Sequence, residues 1–132
     1  MMNPCTLVIF GVTGNLARRK LIPALYQLEA AGRLPEGMVI LGYGRREWQR
    51  QEWQNEVMQM LREKYPKGYN ETAFERFLQR LHFFSGDLHN DEAIKALGRA
   101  LDENPTFPPN TIFYLAVKPV EVSKKRVRFG SG

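Results

Sequence analysis

Cysteine is nearly absent from this 132-residue chain, and long apolar runs are missing altogether. The single cysteine, Cys5, cannot form a disulfide within the chain, and nothing around it completes a metal site. The longest apolar runs have the length of a strand and fall far short of the ~20 residues that a membrane-spanning helix needs. The N-terminus has no basic stretch followed by a long apolar core, so no secretory signal is expected. We therefore expect a protein of the reducing cytoplasm without a membrane partner.

An excess of positive charge is also missing from most of the chain. The formal net charge is +5, but five of the 19 basic residues and one of the 14 acidic residues lie from Lys118 onwards. The first 117 residues therefore carry 14 basic and 13 acidic groups. Because the basic surface is confined to the C-terminal segment, the body of the chain gives no electrostatic reason to expect nucleic acid as a partner.

What the chain does contain is an alternation of short apolar runs with segments of helical periodicity. Hydrophobic residues make up 43% and charged residues 25%, which is ordinary for one globular domain. Strands are predicted at 6–10, 38–41, 81–85 and 111–115, and the second ends in the glycine-rich exit 42–44. Helices are predicted over 15–31, around 53–61, around 74–81 and around 94–101. This pattern predicts an α/β fold, a partial doubly wound (Rossmann-like) parallel sheet with flanking helices.

Two local features complicate this assignment. Pro23 removes a backbone donor from the interior of the first helix, so that helix is either kinked there or made of two pieces joined near Lys20. The domain is expected to occupy residues 1–119. Residues 120–132 form a basic tail ending in Gly-Ser-Gly, which is more typical of a linker or an altered reading frame than of a native domain end.

The strongest chemical signal is the turn Gly11–Ala17 between the first strand and the first helix. Gly11 permits unusual backbone angles, Gly14 lets a pyrophosphate approach the backbone, and Ala17 permits close packing of helix on strand. The helix N-terminus offers unpaired N–H groups and a positive dipole end to phosphate. Many strand-to-helix turns use glycine for packing alone, so that reading stays open from the spacing by itself.

A second signal lies after the second strand, where NAD enzymes place a carboxylate for the ribose hydroxyls. Here the chain has Arg45 and Arg46, with no acid before Glu47. A guanidinium can bind a 2′-phosphate through two hydrogen bonds, whereas a carboxylate would repel it. Arg45 lies 31 residues after Gly14, more than the usual ~20, so an enlarged crossover is expected. The alternative is a pair of solvated arginines that open a helix.

Residues 10–26, FGVTGNLARRKLIPALY, resemble the opening of the glucose-6-phosphate dehydrogenase family. That family has Gly-x-x-Gly-Asp-Leu-Ala, a basic cluster and Pro-x-Leu in this order. The segments 42–45 and 113–116 resemble two further segments of the family. The resemblance extends from residue 6 to about 119, and Pro23 is part of it.

The resemblance implies a set of contacts with NADP. The dinucleotide turn would comprise Gly11, Val12, Thr13, Gly14, Asn15, Leu16, Ala17 and Arg18. Arg45, with Arg46 beside it, would bind the 2′-phosphate, while Asp87 and Leu88 would lie beside the adenosine. Lys20 would lie between the cofactor and a sugar phosphate. The residues expected near the nicotinamide are Tyr114, Leu115 and Ala116.

The chain departs from the family at two places. Asn15 stands where the family usually has aspartate, which removes a charge but keeps an oxygen that could cap the helix. The segment 117–119, Val-Lys-Pro, replaces an apolar Pro-Pro segment, and the resemblance fades from there.

Catalytic residues are not expected in this chain. Family members oxidise C1 of glucose 6-phosphate with a histidine base and an orienting carboxylate, and in full-length members these lie far beyond residue 132. His82 and His89 lack a partner pattern, so we expect ordinary surface or packing roles for them. Trp48 and Trp53 are expected to be packing residues of the second helix, and no metal site is expected.

The resulting hypothesis is the cofactor-binding portion of an NADP-dependent oxidoreductase of glucose metabolism, in the pentose phosphate pathway. Alone it would be inactive, and sugar phosphate would bind only in the full-length enzyme. The alternative is a non-catalytic interaction module with a vestigial nucleotide site, suggested by a loose likeness of 125–129 to docking peptides for type-one protein phosphatases.

The fourth strand is expected to be poorly covered, because in a complete doubly wound sheet it pairs with later strands. We expect a homo-oligomer with Ile112, Phe113 and Leu115 at or near the contact. The competing expectation is a monomer in which the enlarged crossover and the basic tail cover that face.

Overall fold

The computed structural model describes residues 4–67 and 70–116. The strands are β1 Thr6–Phe10, β2 Val39–Gly44, β3 Leu81–Ser85 and β4 Thr111–Leu115. The helices are α1 Ile22–Ala30, α2 Arg50–Lys64, α3 Glu71–Arg80 and α4 Asp91–Glu103. A π-helical segment, Ala17–Leu21, leads directly into α1. The segments expected to be a basic tail (120–132), a departure from the family (117–119) and a docking peptide (125–129) lie outside the described residues.

The four strands form one parallel sheet in the order β3-β2-β1-β4. This is the order of the first four strands in a doubly wound dinucleotide-binding fold. Strand β1 lies between β2 and β4, and all five of its residues are buried. The chain leaves β1 for β2 on one side and later returns to the other side for β4. The predicted fold class is therefore confirmed.

Helices cover both faces of the sheet. On one face the larger core cluster joins Leu7, Ile9 and Ile40 of the sheet to side chains from the π-helical segment, α1, α2 and α3. On the other face Val8, Phe10, Leu41 and Tyr43 pack with Leu97 of α4. Consecutive residues of a strand point to opposite faces, so a strand buried on both sides must be apolar throughout, as β1 is.

The predicted elements agree closely with the structure, apart from the end of β2. Residues 81–85 and 111–115 form the strands predicted there. The predicted strand 38–41 instead continues through Gly44, because Tyr43 and Gly44 pair with Phe10 of β1 and Ser85 of β3. The glycines that indicated an exit loop are thus part of the strand.

The first helix consists of two pieces, one of the two arrangements that Pro23 permitted. The backbone N–H of Ile22 donates to the carbonyl of Ala17, five residues earlier, before regular α-helix begins. Pro23 is the second residue of α1, directly after the π-helical turn, and supplies no N–H to the helix there. The change of helix type falls next to Lys20, as expected.

The strand β4 is poorly covered, as predicted. Within the described ranges it pairs with β1 alone, and its large side chains remain exposed, Phe113 by 58% and Leu115 by 60%. Phe113 stacks on Phe10 with ring centroids 5.8 Å apart. Apart from this contact and the backbone pairing, β4 presents an apolar strip to solvent.

None of the helices in residues 4–67 and 70–116 has both the length and the apolar character needed to cross a membrane.

A buried ion pair joins α1 to α3. The Glu29 side chain is 3% exposed, and one of its oxygens accepts a hydrogen bond from Arg80 Nε. Arg80 Nη1 also donates to the carbonyls of Pro35 (2.7 Å) and Met38 (2.9 Å). Arg76 approaches the same carboxylate at 3.6 Å but is 51% exposed. Arg80 therefore ties α1, α3 and the segment that enters β2 together.

We predict that Arg80→Ala lowers the free energy of unfolding by about 3 kcal/mol or more, because it leaves the Glu29 carboxylate buried without its main partner. Arg76→Ala removes an exposed partner of the same carboxylate and should cost less than about 1 kcal/mol. Urea unfolding followed by circular dichroism measures both, and equal losses for the two variants would contradict this ranking.

Candidate functional site

The glycine turn lies at the carboxyl end of β1 and is bound to the neighbouring strand. The carbonyl oxygen of Tyr43 accepts hydrogen bonds from the N–H groups of Gly11 (2.9 Å) and Val12 (3.3 Å). Gly11 has φ +76°, a backbone conformation that residues other than glycine rarely adopt. The turn closes with Gly14 N–H donating to the Gly11 carbonyl at 3.0 Å. The expected tight turn is therefore present.

The turn sits between the ends of β2 and β4. On one side, a Cβ added to Gly44 would come within 3.0 Å of Thr13 Cγ2. On the other side, a Cβ added to Gly14 would lie 3.3 Å from the Gly11 carbonyl and 3.9 Å from that of Ala116. The strand order reverses here, since β2 and β4 leave β1 in opposite directions, and ligands of open α/β sheets bind at such a point.

The start of the first helix has no side-chain cap. The Asn15 side chain is exposed and makes no hydrogen bond within the described ranges, so the capping expected of its oxygen is not observed. First-turn N–H groups lack partners within a helix, and here no side-chain cap replaces them. Ala17 is fully buried under the turn, in agreement with its predicted packing role, while Leu16 is exposed.

A basic cluster follows the turn at once. Arg18, Arg19 and Lys20 are consecutive and exposed. Arg18 N–H donates to the Gly14 carbonyl at 3.1 Å. Its side chain lines a shallow cleft together with Thr13 and Trp48. Positive charge is thus concentrated beside the turn.

The two arginines after β2 lie on a short loop, because α2 begins only at Arg50. Both are exposed, and Arg45 has no hydrogen bond or ion pair in the part of the chain that the structure describes. The Arg46 guanidinium lies over the Trp48 indole, 5.4 Å from its centroid. Helix α2 instead starts with a capping box formed by Gln49 and Glu52. The arginines therefore do not open the helix.

The prediction for the two tryptophans was half right. Trp53 is a buried residue of α2, but Trp48 precedes that helix and is half-buried against Phe83.

The loop after β3 is held by Tyr43. The Tyr43 hydroxyl donates to the Asp87 carbonyl at 3.1 Å, and a Cβ on Gly86 would lie 2.3 Å from that hydroxyl oxygen. Burial, and next the nearby Asp87 carboxylate, raise the pKa of Tyr43 above its usual value. The Asp87 carboxylate accepts the His89 N–H at 2.9 Å. Asp87 and Leu88 thus follow the strand next to β2, and Leu88 is exposed.

The other end of the site is formed by the last residues of β4. Ala116 is buried, and its N–H donates to the Phe10 carbonyl at 2.8 Å. Tyr114 and Leu115 are exposed. The structure therefore places the sequence-predicted residues in a row along the carboxyl edge of the sheet, with Asp87 and Arg45 on one side of the turn and Ala116 on the other.

The two histidines lie on β3 and in the loop before α4. His82 lies on β3 against Phe107, and burial, with the nearby Arg50 charge as the smaller cause, lowers its pKa to about 4. His89 is exposed in the loop before α4. Neither side chain hydrogen-bonds a carboxylate in residues 4–67 and 70–116. The same residues contain no cluster of three metal-ligating side chains.

Sequence reasoning missed three residues that hold the site together. Tyr43 links the turn to the loop after β3. Trp48 lies under the Arg46 guanidinium. The Ser85 hydroxyl donates to the Arg46 carbonyl at 2.8 Å. The only signal for them was their position at or just after the ends of predicted strands.

Comparison with known proteins shows what this chain is similar to. The chain matches the family model "Glucose-6-phosphate dehydrogenase, NAD binding domain" over residues 8–126. It is 39% identical over 115 residues to glucose-6-phosphate 1-dehydrogenase of Dickeya dadantii, covering 87% of this chain and 23% of that protein. It is 34% identical over 119 residues to glucose-6-phosphate 1-dehydrogenase 2 of Mycobacterium bovis, and the alignment covers 88% of this chain and 23% of that protein.

A solved structure agrees with these matches. Glucose-6-phosphate 1-dehydrogenase from Mycobacterium avium has a TM-score of 0.73 at 25% identity, over 89% of this chain and 24% of that one. The chain thus spans about a quarter of the length of the relatives that it matches.

We predict that Gly42→Ala destabilises the turn and its strand. An added Cβ would lie 2.8 Å from Val12 Cγ1 and 3.0 Å from two atoms of the Trp53 ring, so packed side chains must move. The expected loss is about 1–3 kcal/mol of unfolding free energy. Gly98→Ala is the control, since a Cβ there meets nothing within 4 Å and should stabilise α4 by about 0.5–1 kcal/mol. Thermal unfolding compares them, and a neutral Gly42→Ala would contradict the close approach.

Proposed function

Because the chain belongs to the family of the glucose-6-phosphate dehydrogenase NAD-binding domain, we propose that it binds NADP as the cofactor-binding part of such an enzyme. NADP is the cofactor of this family. The observation that carries the proposal is the glycine turn at the strand-order reversal, with the exposed Arg45 guanidinium at the end of the adjacent strand. The reaction proposed for the whole protein is hydride transfer from C1 of glucose 6-phosphate to NADP.

The turn fits a pyrophosphate. Gly14 presents backbone without a side chain, and the uncapped first turn of the helix has N–H groups available for anionic oxygens. Arg18 adds a positive charge beside the turn. We propose that Gly11 to Arg18 bind the two phosphates that join the halves of NADP.

The end of β2 fits a 2′-phosphate better than a ribose hydroxyl. Arg45 has no partner in the described ranges that would have to be displaced, and the neighbouring Arg46 adds to the positive potential. An acidic residue that would favour NAD is absent between Gly42 and Arg46. Arg45 is therefore the proposed ligand of the 2′-phosphate, and Asp87 and Leu88 are proposed to flank the adenosine.

The nicotinamide end would then lie toward β4. Tyr114, Leu115 and Ala116 are the proposed neighbours of that ring, since they follow the turn on the side away from Arg45. Lys20, exposed after the turn, is the proposed neighbour of the sugar phosphate. What the bound cofactor supplies is an acceptor for hydride; the residues of this chain bind and orient it.

We propose that these 132 residues alone do not oxidise the sugar. Support comes from the two histidines, one with a pKa of about 4 and neither hydrogen-bonded to a carboxylate in the described residues. The domain boundary at 119 stays a prediction, and the family match continues to residue 126. The reducing compartment expected from the lone, buried Cys5 also stays a proposal.

The alternative of an interaction module rests on residues 125–129, which lie outside the residues that the structure describes.

Self-association through β4 is a further part of the proposal. Phe113 and Leu115 lie on the face shared with Val8 and Phe10, yet both are more than half exposed. Within the described residues the outer edge of β4 is unpaired, and such an edge next to exposed apolar side chains favours pairing with another chain. A second copy of this chain is the proposed partner.

We predict that the chain binds NADP more tightly than NAD and that Arg45→Ala removes the difference. Charged hydrogen bonds to the 2′-phosphate should make the loss for NADP about tenfold or more, with little change for NAD. Separate calorimetric titrations measure both dissociation constants. Arg33→Ala is the matched control, since Arg33 is also exposed but lies before β2, at the opposite end of that strand. Equal or absent binding of both cofactors to the wild type would refute the Arg45 assignment.

We predict that the chain sediments as a dimer or larger species at low micromolar concentration and that Leu115→Lys shifts it to the 15.3 kDa monomer. A lysine at this exposed position of β4 opposes a close apolar contact with a second copy. Leu28→Lys, at an exposed leucine of α1, should leave the sedimentation unchanged. A wild-type chain that is monomeric would refute self-association.

A further inference from the structure

The two arginines after β2 need a mechanism that keeps them in place. Arg45 and Arg46 are exposed, lie outside any helix or strand, and have no ion pair within the described residues. Long side chains of this kind lose conformational entropy when a ligand immobilises them. A site whose guanidinium groups are already held in place loses less conformational entropy on binding, and therefore binds its ligand more tightly.

The structure provides an aromatic support for one of these arginines. The Arg46 guanidinium lies 5.4 Å from the centroid of the Trp48 ring, within the range of a cation–π contact. Trp48 in turn packs on Phe83, with centroids 5.7 Å apart. Phe83 belongs to β3 and packs against the larger core cluster. The position of an exposed charge is thus coupled to the sheet through two aromatic rings.

The backbone of the same loop is held at two points. The Ser85 hydroxyl donates to the Arg46 carbonyl at 2.8 Å, and Ser85 is the β3 residue that pairs with Gly44. The Gln49 N–H donates to Glu52 Oε1 at 2.8 Å, which fixes the other end of the loop to α2. The loop backbone is therefore anchored at Arg46 and at Gln49, and the Arg46–Trp48 contact is made within this span.

We propose that Trp48 is a positioning residue for the discrimination of NADP from NAD. It holds the Arg46 guanidinium beside Arg45, so that two positive charges are in place before the 2′-phosphate binds. This inference rests on the proposed function and extends it to a residue that carries no charge. NAD has a hydroxyl in place of that phosphate and gains little from a second guanidinium. Loss of the indole should therefore weaken NADP and spare NAD.

The test measures the ratio of the NAD and NADP dissociation constants. Trp48→Leu should lower the preference for NADP by about threefold, the size expected from an exposed cation–π contact. Trp48→Phe keeps an aromatic face for Arg46 and should retain most of the preference. A Trp48 with only a structural role would weaken both cofactors alike in Trp48→Leu, and that result would overturn the inference.

A double-mutant cycle tests whether Trp48 acts through Arg46. Arg46→Gln replaces an exposed side chain and should lower the preference as Trp48→Leu does. Combined with Arg46→Gln, Trp48→Leu should have no additional effect on the ratio. Additive losses would overturn the inference; if Trp48→Leu folds poorly, the cycle is repeated with Trp48→Gln, which also removes the aromatic face.

Trp53→Leu is the matched control for Trp48→Leu. Trp53 also packs on Phe83, with centroids 5.9 Å apart, but the structure shows no cation on it in the described ranges. This variant should reduce stability and leave the cofactor ratio unchanged; a shifted ratio would overturn the specific role of Trp48. A wild-type chain without any preference for NADP would refute the proposed function itself, whereas a preference that depends on Arg45 but not on Trp48 would refute only this inference.

Discussion

The carbonyl oxygen of Tyr43 accepts two hydrogen bonds from the glycine turn, and the site is arranged around that point. These bonds hold the turn against β2, while the hydroxyl of the same residue holds the loop after β3 through the Asp87 carbonyl. One side chain and its carbonyl therefore connect three segments that are distant in sequence. Because Tyr43 is buried and pairs with Phe10 in the sheet, these segments inherit the rigidity of the central strands. Without the two hydrogen bonds, the turn would be held against β2 only by packing contacts such as that of Thr13 with Gly44.

The sheet could be predicted from the sequence because its signals are local. Short apolar and aromatic runs made 81–85 and 111–115 recognisable to the residue, although β3 is only partly buried and β4 is mostly exposed. The end of β2 could not be found in this way, since Gly42 and Gly44 have the composition of a loop. They pair with β1 and β3 as strand residues, and glycine is needed at both positions because Val12, Trp53 and Thr13 occupy the space that larger side chains would need. That requirement arises from neighbours far along the chain.

The sequence predicted where the candidate site lies in the sheet, but not the side-chain contacts that hold it in place. The glycine turn and Arg45 were identified separately, and the parallel pairing of β1 with β2 brings their ends together. The cap expected from Asn15 was wrong, because a suitable side chain does not by itself adopt the geometry of a cap. Trp48 was assigned to the second helix, since the periodicity could not show that a capping box at Gln49 starts that helix later. Contacts between side chains of different loops produce no periodic pattern in the sequence, so they cannot be predicted from it in this way.

The π-helical segment Ala17–Leu21 also bears on how this region can change during evolution. A π-helical turn holds one residue more than the α-helical turn it replaces, so it corresponds to a single-residue insertion in a regular helix. Deleting one residue here would convert the π-helical turn to a regular α-helical turn and leave the two sides of the helix in nearly the same orientation. The same deletion inside α1, where no turn holds an extra residue, would rotate the part of the helix after it by about 100° and move side chains such as Tyr26 away from the core. A change in length is therefore tolerable in this segment where it is not in the regular helix that follows.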